Sequence, residues 1–446
     1  MERITFLKIS SAMALVPYLS PFGLWANPDK LKNWAGNLEY STANVTYPET
    51  VEEIRDMVKG LEKLKALGTR HCFNRIADSK DHLLVMQKRN KVLSLDKTAM
   101  KVTVEGGINY GELSPYLHEN GYALPNLASL PHISVVGGCI TATHGSGVKN
   151  GNMATPVSAM EFVAADGNLH TLSREKDRDK FNGAVVNLGA LGIMTSITLD
   201  LEPTFEVSQH VFLDLPMDQL LGNFDEIMSA TYSVSLFTDW QQESINEVWL
   251  KNKTIEPLEE KWESEFFGGR AATQNMHPIA SHSAENCSEQ MGVPGPWYER
   301  LPHFKMGFTP SSGTELQSEY FVPRTKAVQA IQAIQKLGKQ IGPYLYISEI
   351  RAIASDELWM SPCYHQDSIS IHFTWKQDWP AVRQLLPVIE KALDPFQVRP
   401  HWGKLFTISP RLLQERYEKI GEFRTLMAEY DPKGKFRNEF LEKNIF

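Results

Sequence analysis

Cysteine is scarce in this chain, and what little there is excludes two ways of holding a protein together. Four residues of 446 are cysteine: Cys72, Cys139, Cys287 and Cys363. None forms a C-x-x-C pair and the spacings fit no zinc pattern. Neither a disulfide framework nor a bound metal is expected; buried free thiols are. An excess of cations is also missing. Lys and Arg number 45 against 53 for Asp and Glu, a net charge of -8. A nucleic-acid partner needs clustered cations to neutralise phosphates, so none is expected. No apolar run of about 18 residues follows the N-terminal segment, so no membrane span is expected. Several common signatures are absent too. There is no Walker A sequence, G-x-G-x-x-G fingerprint, G-x-S-x-G elbow or H-E-x-x-H helix, which argues against P-loop enzymes, nicotinamide enzymes, serine hydrolases and zinc peptidases.

Residues 1–26 stand apart. Arg3 and Lys8 precede a charge-free stretch from Ile9 to Ala26. Two readings stand side by side: a degenerate export signal, which places the protein in the periplasm, or the N-terminal arm of a cytoplasmic protein.

Thr50-Val-Glu-Glu53 reads as a capping box before the helical repeat Val51, Ile54, Met57, Val58 and Leu61. Short strands follow at Lys65–Leu67, Leu83–Met86, Val92–Leu95 and Lys101–Val104. A helix over Tyr110–Asn120 ends at Gly121. A hairpin turns at Asp166-Gly167, and a strand after Gly192 stops at Pro203. Beyond Pro203 the strands lengthen, at Ser233–Trp240, Glu247–Lys251, Tyr344–Ala354 and Ser368–Lys376. Helices at Lys326–Ile341 and Ala381–Leu393 intervene. The class is α+β, with a boundary near residue 203 and a large, mostly antiparallel sheet in the second part.

Two glycine-rich stretches, Gly68–Asn74 and Ser129–Gly147, let backbone approach a flat or anionic ligand closely, with Arg70 as a source of charge. Taken alone, each is an ordinary turn. The second half is more telling. Side chains alternate along a strand, so Glu349 and Arg351 share a face with Leu345, Ile347 and Ile353. A buried carboxylate and guanidinium must be paired or chemically engaged. His372 and Thr374 likewise share a face, opposite Ile369, Ile371, Phe373 and Trp375. Solvent on that polar face is the plain alternative. Lys404 follows His401-Trp-Gly403. Together these groups offer an acid or base, two cations, an imidazole and hydroxyls, a set suited to a small, neutral, hydroxyl-rich substrate.

The motifs Gly68-Thr-Arg-His-Cys-Phe-Asn74, Leu124-Pro-Asn-Leu-Ala-Ser-Leu-Pro-His132, Thr143-His-Gly-Ser-Gly147, Leu316-Gln-Ser-Glu319, Ser348-Glu-Ile-Arg351, His372-Phe-Thr-Trp375 and His401-Trp-Gly-Lys404 carry a resemblance. In this order they resemble the alditol oxidases of the vanillyl-alcohol-oxidase flavoprotein superfamily, beside the aldonolactone oxidoreductases. The resemblance covers about residues 33–440. It implies a two-subdomain FAD-binding domain of the p-cresol methylhydroxylase type over residues 33–203. A substrate domain over residues 204–446 follows, its C-terminal tail returning toward the FAD. The cofactor implied is FAD, linked covalently through His71. Gly68, Thr69, Arg70, Cys72, Phe73, Ala128, Ser129, His132, Gly137, Thr143, Gly145, Ser146, Gly147, Gly192 and Ile193 are implied beside it. Ala128 occupies a position where side-chain size influences oxygen access. Glu349, Arg351, Lys404 and His372 are the implied catalytic groups, with Glu349 paired to both cations. Ser129, Gln317 and Thr374 are the implied substrate contacts. The implied reaction is oxidation of the C1 hydroxyl of an alditol such as xylitol or sorbitol to the aldose. Hydride goes to the flavin, oxygen reoxidises it and hydrogen peroxide is released. The alternative is oxidation of a gulono- or galactono-lactone, and a flavin-free sugar-binding protein is the alternative outside enzymes. The expected partners are a polyol and molecular oxygen, acting on a monomer.

Overall fold

The computed structural model describes residues 30–446, apart from 257, 260, 261, 263 and 308–314. The N-terminal segment read as a signal or arm lies outside the described residues.

The first part of the chain builds two small sheets. One has three parallel strands in the order Val45–Thr46, Leu83–Val85, Lys65–Leu67. The other has five antiparallel strands in the order Val92–Asp96, Lys101–Glu105, Ile193–Asp200, Val157–Val163, Leu169–Ser173. Helix Val51–Gly60 starts at Thr50, whose hydroxyl accepts from Glu53 N. The expected capping box is only half formed, because the Glu53 carboxylate takes Glu49 N at 2.7 Å instead of the cap's own N–H. The complete box belongs to Asn109 and Glu112, at the start of helix Tyr110–Glu119. Pro203 does not stop the chain outright. Glu202–Pro203 pairs with Tyr122–Ala123 before the next long strand begins.

That strand, Glu206–Pro216, opens a ten-stranded, antiparallel sheet. Its centre runs Ser244–Lys253, Ser233–Thr238, Leu345–Ile353, Ser368–Lys376, Glu315–Pro323. On the far face Ile369, Ile371, Phe373 and Trp375 are fully buried in one core with helices Ala327–Gln335 and Trp379–Leu393. Each such side chain contributes about 1.5–3 kcal/mol by leaving water. The expected helix over Lys326–Ile341 divides into Ala327–Gln335 and Gly338–Ile341.

Register does the rest. Glu319 lies opposite His372, His372 opposite Glu349, and Glu349 opposite Phe237, so one row crosses four strands. Gln317 opposite Thr374, and Ser370 opposite Arg351, form parts of the neighbouring rows. A slip of one residue in any strand would turn these polar side chains into the apolar core.

The first part of the chain closes over this face. Gly147 N bonds Ala352 O, at a φ of +139° that favours glycine. A Cβ there would lie 2.6 Å from Tyr232 O. The C-terminal segment packs back on the small sheets: Phe436 joins Ile54, Val58 and Leu84 in a core. Asn438 Nδ2 donates to Arg75 O, Ile76 O and Asp78 O.

Candidate active site

One continuous cavity runs between the glycine-rich loops and the polar face of the large sheet, with about 1750 Å³ of open space including its mouth. The face read as either a polar lining or a solvated surface is therefore enclosed. His372 and Thr374 are only 8% and 9% exposed.

The loop after strand Lys65–Leu67 forms one wall. Arg70 holds a left-handed φ of 65°. This conformation costs a side-chain-bearing residue about 1–2 kcal/mol relative to glycine. Two contacts support it: Trp34 N bonds Arg70 O, and the guanidinium caps Lys32 O. That guanidinium is exposed, with Nη1 held on Lys32 O. His71, the next residue, faces the cavity beside Trp34 with ring centroids 5.0 Å apart. Burial, then His132, Lys404 and Arg70, push its pKa down to about 3, so the ring is a neutral imidazole.

This loop is locked to the one carrying Lys404. Phe73 N bonds Gly403 O at 2.8 Å, and Asn74 Nδ2 donates to Trp402 O and Lys404 O at 2.8 and 2.6 Å. Lys404 Nζ lies 4.9 Å from the centre of the Phe73 ring and donates to Gln317 Oε1. Burial pushes its pKa down, while Glu319 and Glu315 oppose that.

Gln317 is a junction. Its Oε1 takes Lys404 and also His372 Nε2 at 3.2 Å, while its Nε2 donates to Glu315. One amide N–H is left for another partner.

Arg351 is held from three sides. Nη1 donates to Ser129 Oγ at 3.2 Å and His144 O at 3.3 Å, and Nη2 to Glu319 Oε1 at 3.0 Å. Its Nε lies 3.4 Å from Glu349 Oε1 but makes no aligned hydrogen bond. Glu349 Oε1 also takes His303 Nε2 at 2.7 Å. Burial alone would raise the Glu349 pKa, but Arg351 and His303 outweigh it and hold the group ionised, well below the carboxylate range. Glu349 is therefore paired to Arg351 and His303. The expected pairing to Lys404 is corrected: that lysine meets Gln317, on the other side of His372.

Of the residues expected beside a cofactor, Gly68, Thr69, Arg70, His71, Cys72, Phe73, Ala128, Ser129, Gly137 and Thr143 line the cavity. Thr69 also ties the loop to Ser134 N through its hydroxyl. Gly145, Ser146, Gly147, His132, Gly192 and Ile193 are not among the lining residues. Ser146 Oγ bonds Val234 O, and His132 Nε2 meets Met306 O. Ile193 sits in the core with Val58 and Val163. Gly145 and Gly147 pack against Leu127 O and Tyr232 O. Of these, His132, Ser146 and Gly147 join the two parts of the chain.

Reading the sequence missed four groups here: Glu315, Glu319, His144 and His303. Glu315 and Glu319 alternate with Gln317 on one strand face, a period-two signal that could have found them. His144 stands inside a recognised motif. His303 sits in a loop and carries no pattern at all.

The buried imidazoles make the fold acid-sensitive. Burial is the main cause that takes His303 to about 4, and His372 and His401 to about 3. Each is depressed below its unfolded value of about 6.5. Their contribution is therefore present above pH ~6.5 and lost as pH falls toward the folded values, at about 1.4 kcal/mol per pH unit per group. The ionised Glu349 adds to this loss below about 4.5. Thermal melts from pH 8 to pH 4 are expected to show a falling midpoint that steepens below pH ~6.5. A flat midpoint over that range would contradict this account.

Small residues along the first wall and a neutral imidazole on the cavity fit a large planar ring system such as a flavin. Residues 42–173 match the family described as FAD binding domain, and residues 312–444 that described as D-arabinono-1,4-lactone oxidase. The chain is 47% identical to an alditol oxidase of Streptomyces sp., over 92% of this chain and 97% of that protein. It is 25% identical to the L-gulonolactone oxidase of Mus musculus, over 94% of this chain and 98% of that one. Among solved structures, cholesterol oxidase from B. sterolicum superposes with a TM-score of 0.76 at 13% identity, covering 97% of this chain and 100% of that one. That likeness bears on the fold alone, and it is the fold the motifs implied. The chain belongs to the alditol oxidase family of FAD-dependent oxidoreductases, with the lactone oxidases more distant.

Proposed function

We propose that the protein oxidises the C1 hydroxyl of an acyclic alditol, of the xylitol or sorbitol class, to the aldose, with oxygen as electron acceptor. The observation that carries this reading is the row of buried polar side chains around Arg351 and Glu349, facing the cavity beside His71 and Lys404. A neutral substrate with many hydroxyls matches this lining. Residues 33–203 hold the FAD and residues 204–446 hold the substrate.

When bound, FAD supplies the hydride acceptor and passes the electron pair on to oxygen as hydrogen peroxide. Gly68–Phe73, Ala128, Ser129, Gly137 and Thr143 hold it, with the His71 imidazole as its covalent attachment. Arg351 and Lys404 bracket the C1 oxygen and favour the negative charge that develops there. Glu349 Oε1 is occupied by His303 and Arg351, so Oε2 takes the hydroxyl proton. His372 gives its Nε2 to Gln317 and orients that amide. Ser129, Gln317 and Thr374 meet the remaining hydroxyls, and a deoxy analogue would leave them unpaired.

The test is anaerobic mixing of the holoenzyme with xylitol and, separately, with a γ-lactone. Bleaching of the flavin band by xylitol, reversed by air with release of peroxide, is expected. Bleaching by the lactone but not by any alditol would overturn the reading.

A further inference from the structure

A second buried lysine lies behind the site. Lys251, on strand Ser244–Lys253, is 1% exposed. Its Nζ meets Leu301 O at 2.6 Å, Pro302 O at 3.0 Å and His303 Nδ1 at 3.1 Å. Two of these partners are carbonyls, which only accept. An ammonium has three N–H groups and no lone pair, so the three contacts use it completely. His303 Nδ1 must then be the bare nitrogen, and the ring proton must sit on Nε2. From there it is donated to Glu349 Oε1, 2.7 Å away.

The alternative arrangement has the same number of protons. A neutral amine would give its two N–H groups to the carbonyls and accept from Nδ1–H. Nε2 would then turn a lone pair toward Glu349, and at that distance only a protonated carboxyl could face it. Burial pushes the His303 pKa down to about 4 and so keeps the ring neutral, and with a neutral ring the charge on Lys251 and the charge on Glu349 stand or fall together, linked through one imidazole. The same segment holds the other side of the site, because His303 N and Phe304 N both bond Ser129 O.

We propose that Lys251 is a positioning residue for the oxidation: it fixes the His303 tautomer and so holds Glu349 as an oriented carboxylate against the substrate hydroxyl. The proposal rests on the assignment of Glu349 as the group that takes the hydroxyl proton. Burial pushes the Lys251 pKa down to about 7; Glu349 and the Cys287 thiol oppose that, and Arg351 and Arg300 add to it, but neither arginine nor the thiol links Lys251 to Glu349 by hydrogen bonds.

The test uses FAD-loaded wild type, Lys251→Met and the double variant Lys251→Met with His303→Gln. In the double variant the glutamine amide can donate to Glu349 whatever Lys251 does. The first readout needs no turnover. Selective ¹⁵N labelling of histidine, with the His303→Gln single variant to assign the signal, should show Nε2 protonated in wild type and a mixture of tautomers in Lys251→Met. The second readout is the pH profile of flavin reduction by xylitol. Loss of the cation and of the donor raises the Glu349 pKa from well below the carboxylate range toward it, so the acid limb should move up into the measurable range. The limiting rate should fall by about tenfold through misorientation. The double variant should bring the limb back.

A wild-type signal protonated on Nδ1 would overturn the proposal. So would a Lys251→Met variant that loses rate with no shift of the limb, which is the mark of a merely structural residue. If wild type is not reduced by any alditol, the functional reading fails instead, and the tautomer measurement still decides whether Lys251 sets His303.

Discussion

Replacing Lys404 with Met is expected to slow reduction of the flavin by an alditol about 100-fold or more, the scale seen when one donor to a developing oxyanion is removed. Methionine keeps most of the volume and removes the charge. The ammonium sits in a site largely closed to bulk water, so little solvent screens it and little can replace it. Among the described residues its acceptor is Gln317 Oε1, which His372 still holds after the substitution. The pocket should therefore keep its shape, and the loss should fall on the limiting rate more than on binding. Rapid mixing without oxygen separates the two, because a saturating series gives both a limiting rate and a dissociation constant. Arg351→Met tests the other side of the same oxygen. That substitution also strips partners from Glu319, Ser129 and His144 O, so weaker binding should accompany the lost rate. Wild-type limiting rates in both variants would remove these cations from the mechanism.

His71→Ala is expected to turn flavin retention from nearly complete to nearly absent when the protein is precipitated in acid. The imidazole is neutral at working pH, it faces the cavity, and Trp34 packs against it. A neutral imidazole keeps the lone pair that bond formation needs. The backbone around it is fixed by Trp34 N, Gly403 O and Asn33, whose Nδ2 donates to Cys72 O, so alanine should not collapse the loop. The measurement is the partition of yellow colour between pellet and supernatant. A colourless wild-type pellet would exclude the bond outright and leave FAD held by contacts alone.

The polar face was readable from the sequence because a strand has a period of two. Glu349 with Arg351, and His372 with Thr374, follow from spacing once the strands are placed. What spacing does not contain is register. That Glu319, His372 and Glu349 share one row depends on two separate strand pairings, neither of which local spacing reveals. His303 and Lys251 were invisible for the same reason: one lies in a loop, the other in a strand whose partners cannot be inferred locally. Arg70 holds a left-handed φ, where a bulky residue is costlier than glycine. The backbone carbonyl at Lys32 that takes its Nη1 could not be inferred from the sequence. Ser146 and Gly147 were placed beside the cofactor by motif, whereas their hydrogen bonds run to the large sheet.

The segment just after His71 is braced by residues that come late in the chain as well as by early ones. Phe73 and Asn74 lean on Trp402, Gly403 and Lys404, and the turn at Arg75–Asp78 hangs on Asn438. During synthesis the first 200 or so residues leave the ribosome long before those braces exist. The segment that carries the histidine must wait, unfinished, for nearly the whole polypeptide to emerge. A fragment ending short of Asn438 lacks one of these braces and is expected to retain less flavin than the full chain.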